Sequence, residues 1–135
     1  MSIPAREVTT PMEGIAARVV ETPRVAAQVL ERDAGSPRRT VVFVHGNVSS
    51  SLFWQPTMLA LPSDVRALAI DLRGFGGTQA MPVDATRGVR DFSDDVAAVL
   101  DTLETGPVDL VGWSMGGGVV MQLLLDRPEL VRSLM

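Results

Sequence analysis

The sequence has no cysteine, no lysine and no tyrosine, and its only histidine is His45. The absence of cysteine excludes thiol catalysis, disulfide bonds and thiolate metal sites. All twelve basic residues are arginine, so no lysine can form a Schiff base or complete a phosphate-binding P-loop. A single histidine also rules out a multi-histidine metal site within the chain. We therefore expect no metal and no cofactor, and serine or threonine remains as the nucleophile for covalent catalysis.

Long apolar runs are missing as well. No run reaches the length of a membrane span, and residues 1–14 lack the apolar segment of a signal peptide. The net charge is −4 and the arginines are scattered, a distribution that offers no electrostatic footprint for nucleic acid. These absences predict a cytoplasmic protein with neither a membrane nor a nucleic acid as its partner.

The composition that is present indicates one compact unit. Of the 135 residues, 46% are hydrophobic, which supports a buried core and argues against disorder. Residues 1–13 are polar, contain two prolines and predict an N-terminal tail. Residues 14–135 predict one folded region.

Strand and helix patterns alternate along that region. Valine- and alanine-rich segments at 16–21 and 25–31 predict a hairpin, and the wholly apolar segment 40–44 predicts a central parallel strand buried on both faces. The same criteria predict strands at 65–70, 108–111 and 131–135, and helices at about 56–61, 91–103 and 115–126. Alternating strands and helices predict a parallel α/β sheet covered on both sides.

A Gly-Trp-Ser-Met-Gly turn at residues 112–116 joins a predicted strand directly to a predicted helix. In this context the G-x-S-x-G pattern indicates a nucleophilic serine. Glycines two residues before and after Ser114 leave room for a tight corner that lifts the hydroxyl above the sheet edge. The helix that begins there directs backbone N–H groups and its positive dipole end toward the same point. The alternative is a glycine-rich turn with an incidental serine.

Three stretches carry a resemblance to a known family: VVFVHGN at 41–47, DLRGFGGT at 71–78 and GWSMGG at 112–117. In this order and spacing they resemble the N-terminal half of an α/β-hydrolase fold serine hydrolase of the single-domain esterase and lipase-like branch. The resemblance implies an α/β fold with a mostly parallel sheet of the α/β-hydrolase type, truncated after the helix that follows the nucleophile strand. It also implies that the strands leading to His45 and to Ser114 are neighbours at a topological switch point.

The resemblance also implies roles for individual residues. Ser114 would be the catalytic nucleophile, and the backbone N–H groups of Asn47 and Met115 would form the oxyanion hole. The residues that support the site structurally would be His45, Gly46, Gly112 and Gly116. For His45, action as the base is the alternative.

The catalytic acid and histidine of the family's triad have no counterparts in this chain. The triad order of the fold is serine, acid, histidine, but Ser114 is followed only by the carboxylates Asp126 and Glu129 and by no histidine. Because serine is a poor nucleophile without an adjacent base, we expect a truncated hydrolase, or half of a split site, that is inactive alone. The final predicted strand at 131–135 would leave a hydrophobic sheet edge through which chains can associate.

Other side chains allow two interpretations each. Asp71 and Arg73 are read either as a salt-bridged anchor of a glycine-rich loop or as a charged catalytic pair, and the anchor is favoured. Leu52, Phe53 and Trp113 would line an apolar substrate cleft, although packing of Trp113 into the core is at least as well supported by the sequence.

The leading functional hypothesis is hydrolysis of an ester or a similar small acyl compound, initiated by attack of Ser114. Serine rather than aspartate at the corner argues against the epoxide hydrolases and haloalkane dehalogenases of the same fold. Thioesterase, peptidase, carbon–carbon-bond hydrolase, acyltransferase and perhydrolase activities remain open. The alternative is a truncated non-catalytic remnant or an interaction module that retains the sheet.

Overall fold

A computed structural model describes residues 2–5 and 11–135 of the chain. Within them the strands are β1 (Ala16–Glu21), β2 (Ala26–Arg32), β3 (Arg39–Val44), β4 (Val65–Ile70), β5 (Val108–Gly112) and β6 (Val131–Leu134). The helices are α1 (Gln55–Ala60), α2 (Arg90–Thr102) and α3 (Met115–Asp126), and 3-10 turns lie at Ser51–Trp54, Ala85–Arg87 and Pro128–Leu130. The predicted tail falls partly outside the described residues, although Ile3 forms an antiparallel bridge with Ala80.

All six strands belong to one sheet, in the order β1-β2-β4-β3-β5-β6. The pairs β1–β2 and β2–β4 are antiparallel, whereas β4, β3, β5 and β6 run parallel. The predicted mostly parallel α/β sheet is therefore confirmed. The chain leaves β3 for β4 on one side and returns to β5 on the other, which creates a switch point at the carboxyl ends of these strands.

The side chains of β3 alternate between two apolar layers. Val42 and Val44 face the core formed with α2 and α3, whereas Phe43 faces the opposite side and packs with Trp54 and Met58. The buried apolar residues that the two helices contribute are Val96, Ala97, Val99, Leu100, Val119, Val120 and Leu123. Both layers hold the ends of the parallel strands in place. None of the helices in the described residues is long and apolar enough to cross a membrane.

Asp71 and Arg73 both anchor the loop after β4, Arg73 through a salt bridge and Asp71 through hydrogen bonds from backbone amides. Arg73 donates two hydrogen bonds to Asp95 of α2, at 2.6 and 2.8 Å. The Asp71 carboxylate instead accepts from the backbone amides of Ser51 and Gly77, at 2.7 and 3.0 Å. A turn follows β4 directly, so the side chains of Asp71 and Arg73 reach different elements. The two-residue spacing between them in the sequence therefore did not reveal their hydrogen-bond partners.

Replacing Arg73 tests this anchor. The Arg73 and Asp95 side chains are 6% and 5% exposed, so Arg73→Ala leaves a buried carboxylate whose remaining cationic partner in the described residues is Arg24. We expect urea denaturation to show a loss of about 3 kcal/mol in the free energy of unfolding. The control Arg38→Ala removes a half-exposed pair with Asp64 and should have almost no effect. Similar losses in the two variants would contradict the anchoring role.

Candidate active site

Ser114 lies at a sharp corner between β5 and α3. Its backbone angles are φ 56° and ψ −121°, a conformation that residues other than glycine rarely adopt. The Trp113 N–H donates to the Val44 carbonyl of β3, and the amides of Gly116 and Gly117 donate back to the carbonyls of Trp113 and Ser114. Ser114 is exposed to solvent at this turn.

Gly112 and Gly116 lie where a side chain would collide with backbone. A Cβ atom on Gly112 would come within 2.4 Å of the Gly116 carbonyl oxygen. A Cβ atom on Gly116 would come within 2.3 Å of the Val44 carbonyl oxygen and 2.6 Å of the His45 carbonyl oxygen. Since backbone atoms cannot swing aside as a flexible side chain can, both positions require glycine. The first turn of α3 therefore packs directly on the end of β3.

Gly46 brings the loop after β3 against the same corner. A Cβ atom on Gly46 would come within 2.7 Å of the Trp113 ring and 3.1 Å of the Ser114 Cβ. The strands are in register at this point, with Val44 opposite Gly112. The loop after β3 and the serine are therefore neighbours, as the resemblance implied.

The backbone amides of Asn47 and Met115 have no acceptor among residues 2–5 and 11–135. Met115 begins α3, and the first amides of a helix lack intrahelical acceptors and lie at its positive end. The Asn47 side chain is engaged locally, since its Oδ1 accepts from the Val48 N–H at 3.0 Å. One free donor thus directly follows Gly46 and the other directly follows Ser114.

His45 is fully buried between the loops after β3 and β4. The Leu72 N–H donates to His45 Nε2 at 3.0 Å, so the ring proton is on Nδ1, which donates to the Gly46 carbonyl at 2.7 Å. The Phe75 ring packs edge-on against the imidazole at 5.3 Å. Burial lowers the pKa of His45, although the Gly46 hydrogen bond and the Asp71 charge act in the opposite direction. The imidazole is therefore neutral near pH 7, with both nitrogens engaged.

Val48 is a second strained residue at the site, and no sequence pattern indicated it. Its φ is 52° and it is 90% exposed. A β-branched residue in the left-handed region is an outlier, and strain of this kind concentrates at catalytic and ligand-binding sites. Because Val48 follows Asn47 directly, the strain lies in the turn that presents the free Asn47 amide.

An exposed aromatic pair lies beside the serine. The rings of Phe53 and Trp113 stack with centroids 4.9 Å apart and planes inclined by 11°. They are 53% and 46% exposed, so the alternative in which Trp113 packs into the core is wrong. Leu52, in the same 3-10 turn as Phe53, is 41% exposed. The structure therefore agrees with the apolar surface that the sequence suggested.

Asp126 and Glu129 are not brought to the corner. They lie at and beyond the end of α3, whose twelve residues span about 18 Å. Asp126 accepts from Gln122 and lies 3.3 Å from Arg90, and Glu129 pairs with Arg127. In the part of the chain that the structure describes, no three acidic or histidine side chains are grouped so that they could hold a metal ion.

Comparison with known proteins identifies the family. Residues 39–135 match the family model described as alpha/beta hydrolase fold, a segment that includes β3 to β6 and the Ser114 corner. The chain belongs to the alpha/beta hydrolase fold family.

Two curated relatives and one solved structure show the extent of the match. The chain is 31% identical over 116 residues, 86% of its length, to 2-(acetamidomethylene)succinate hydrolase from Mesorhizobium japonicum, of which this covers 40%. It is 36% identical over 104 residues, 75% of its length, to 2-hydroxymuconate semialdehyde hydrolase from a Pseudomonas strain, of which this covers 35%. An epoxide hydrolase structure from Vigna radiata matches 93% of this chain and 40% of its own, with TM-score 0.81 and 34% identity. The chain thus spans two fifths or less of the relatives it matches.

The glycines of α3 provide a matched test of the close contact with β3. Gly116→Ala places a methyl group against the Val44 carbonyl, and we expect it to lower the free energy of unfolding by about 1–3 kcal/mol. Gly118 is on the same helix, with nothing within 4 Å of an added Cβ, so Gly118→Ala should raise that free energy by about 0.5–1 kcal/mol. Both are measured by urea denaturation. A loss of stability in both variants would contradict this account.

The buried, neutral His45 predicts a pH dependence of stability. Its pKa is below the ordinary value of 6.5, so the unfolded chain binds the proton first as the pH falls. The contribution of neutral His45 to the free energy of unfolding is fully present above about pH 6.5. This contribution is lost as the pH falls through the folded-state pKa of His45. Aspartate and glutamate titrate mainly below about pH 5.

Urea denaturation at about pH 7.5 and about pH 5 measures this effect. We expect a larger loss of stability for the unsubstituted protein than for His45→Gln, which does not titrate. Parallel losses in the two proteins would show that other groups cause the dependence.

Proposed function

We propose that Ser114 is the nucleophile of a serine hydrolase that cleaves an ester or a similar acyl compound. The hydroxyl oxygen attacks the carbonyl carbon while its proton passes to a base, and negative charge develops on the carbonyl oxygen. Collapse of the tetrahedral intermediate expels the leaving group, which takes up the proton, and leaves an acyl-serine ester. Water then cleaves this ester, which releases the acid and restores the serine.

The observation that carries this proposal is an exposed serine on a strained corner that adjoins the backbone amides of Asn47 and Met115, which have no acceptor in the described part of the chain. The unusual backbone angles of Ser114 persist because Gly112 and Gly116 allow tight packing around them. The amides of Asn47 and Met115 are the donors that a developing oxyanion needs, and removal of one such donor typically costs about a hundred- to a thousandfold in rate. An incidental serine would require neither arrangement.

We propose that the base and its acidic partner are supplied by residues beyond this chain. His45 is buried and neutral, and both of its ring nitrogens are bonded to backbone groups, which suits support of the oxyanion loop rather than proton transfer. Asp126 and Glu129 lie a helix length away and are engaged with arginines. The contribution of this chain is therefore the nucleophile and the oxyanion hole.

The names of the relatives support hydrolysis as the general reaction but span several bond types: a semialdehyde hydrolase, a succinate-derivative hydrolase and an epoxide hydrolase. The serine supports an acyl substrate among these. Attack of the Ser114 hydroxyl on an epoxide would leave an ether, which water does not readily cleave. Attack on an acyl carbonyl leaves an ester, which water can cleave with the same oxyanion hole.

Fluorophosphonate labelling tests the nucleophile directly. Imidazole in the buffer can replace a base that the chain does not provide, and we expect it to accelerate covalent labelling about tenfold or more. Mass spectrometry of the intact protein follows the rate, and peptide mapping should place the adduct on Ser114.

Two variants control the labelling. Ser114→Ala should abolish the adduct, and Ser63→Ala, which removes an exposed loop hydroxyl, should leave the rate unchanged. Labelling that persists in Ser114→Ala, or no labelling of the folded protein with and without imidazole, would reject the nucleophile and favour a non-catalytic interaction module.

A further inference from the structure

The stacked rings of Phe53 and Trp113 have no part in the steps proposed for Ser114. Each of the two residues is about half exposed, and their stacked rings form one apolar surface. Contiguous exposed apolar surface marks a place where a ligand or partner binds, because covering aromatic rings removes a large area from water.

Phe53 is held by ring contacts that reach into the core. Its ring packs edge-on against Trp54, with centroids 5.1 Å apart and planes at 86°. The Trp54 ring in turn lies 4.9 Å from that of Phe43 on β3, and both of these residues are buried. The orientation of the Phe53 ring is therefore set before any ligand arrives, which lowers the entropy cost of binding.

Trp113 is held from the opposite side, next to the reacting hydroxyl. Its indole packs so closely on Gly46 that a Cβ atom there would come within 2.7 Å of the ring. The same Cβ atom would come within 3.1 Å of the Ser114 Cβ. The aromatic surface therefore begins directly beside the serine and the loop that presents the Asn47 amide.

We propose that the Phe53–Trp113 pair is the subsite for a planar, unsaturated acyl group, such as an aryl or conjugated acyl chain. This inference rests on the proposed function of Ser114, because the rings would hold the acyl group whose carbonyl carbon Ser114 attacks. Two uncharged rings recognise such a group by stacking, which favours binding by about 2- to 13-fold beyond the burial of apolar area. A saturated acyl group of the same size covers the surface without this gain.

Two inert carboxamides test the subsite without requiring catalysis. Benzamide and cyclohexanecarboxamide have the same number of carbon atoms, but only benzamide carries a planar ring. Their dissociation constants are measured by ligand-observed NMR titration of the 135-residue chain. The measurement is repeated with Ser114→Ala, so that the result does not depend on the reactivity of the hydroxyl.

The quantity of interest is the dissociation constant of cyclohexanecarboxamide divided by that of benzamide. We expect this ratio to fall about 2- to 13-fold in Trp113→Leu and in Phe53→Leu. Trp113→Phe keeps an aromatic ring at this position, so its ratio of dissociation constants should stay close to that of the unsubstituted chain. The control Leu125→Ala removes an exposed apolar side chain near the end of α3 and should not change the ratio. A ratio that is unchanged in both leucine variants, including equal weakening of both ligands, would overturn the subsite.

This inference and the proposed nucleophile fail in different ways. If Ser114 is labelled but the ratio of the two dissociation constants is the same in the leucine variants as in the unsubstituted chain, the hydrolase proposal stands and the aromatic subsite is rejected. If the ratio falls in the leucine variants but Ser114 is never labelled, the rings bind a planar ligand and the acyl assignment is rejected.

Discussion

The close approach of α3 to the end of β3 is the constraint on which the rest of the site depends. It exists because Gly116 has no side chain and its Cα lies against the carbonyls of Val44 and His45. A larger residue would push the helix away from the strand and would separate the backbone amides of Asn47 and Met115. The strained backbone of Ser114 is tolerated for the same reason, since packing on both sides leaves the corner no relaxed alternative.

Three polar contacts support this constraint from the surrounding loops. His45 joins the loop after β3 to Leu72, Asp71 joins the loop after β4 to the 3-10 turn at Ser51–Trp54, and Arg73 joins that loop to α2. Each contact places a buried polar group in hydrogen bonds, which avoids the cost of an unsatisfied group away from water. Buried hydrogen bonds therefore connect the loops that carry the candidate site to one another and to α2. Burial at this junction lowers the pKa of His45 and keeps its imidazole neutral near pH 7.

Much of the architecture was predictable because its signals are local. The predicted strands at 16–21 and 65–70 and the predicted helix at about 115–126 agree with β1, β4 and α3 at both ends. No other predicted boundary differs by more than one residue, as expected for fraying ends. The apolar run at 40–44 predicted the central strand, because a strand buried on both faces shows no alternation. The corner at Ser114 was predictable for a related reason, since the spacing of Gly112 and Gly116 reports steric needs within a few residues.

The amino-acid composition and the local spacing of residues limit the chemistry open to the chain: a serine at a glycine-flanked corner, no thiol, no lysine and one histidine. Which side chains meet is settled by the packing of the folded chain. It paired Arg73 with Asp95, exposed Trp113 in a stack with Phe53, engaged both nitrogens of His45 and placed Val48 at positive φ. Periodicity and steric spacing report on residues that are close together along the chain. These contacts instead join residues that are far apart along the chain, so they depend on how loops from separate strands pack together.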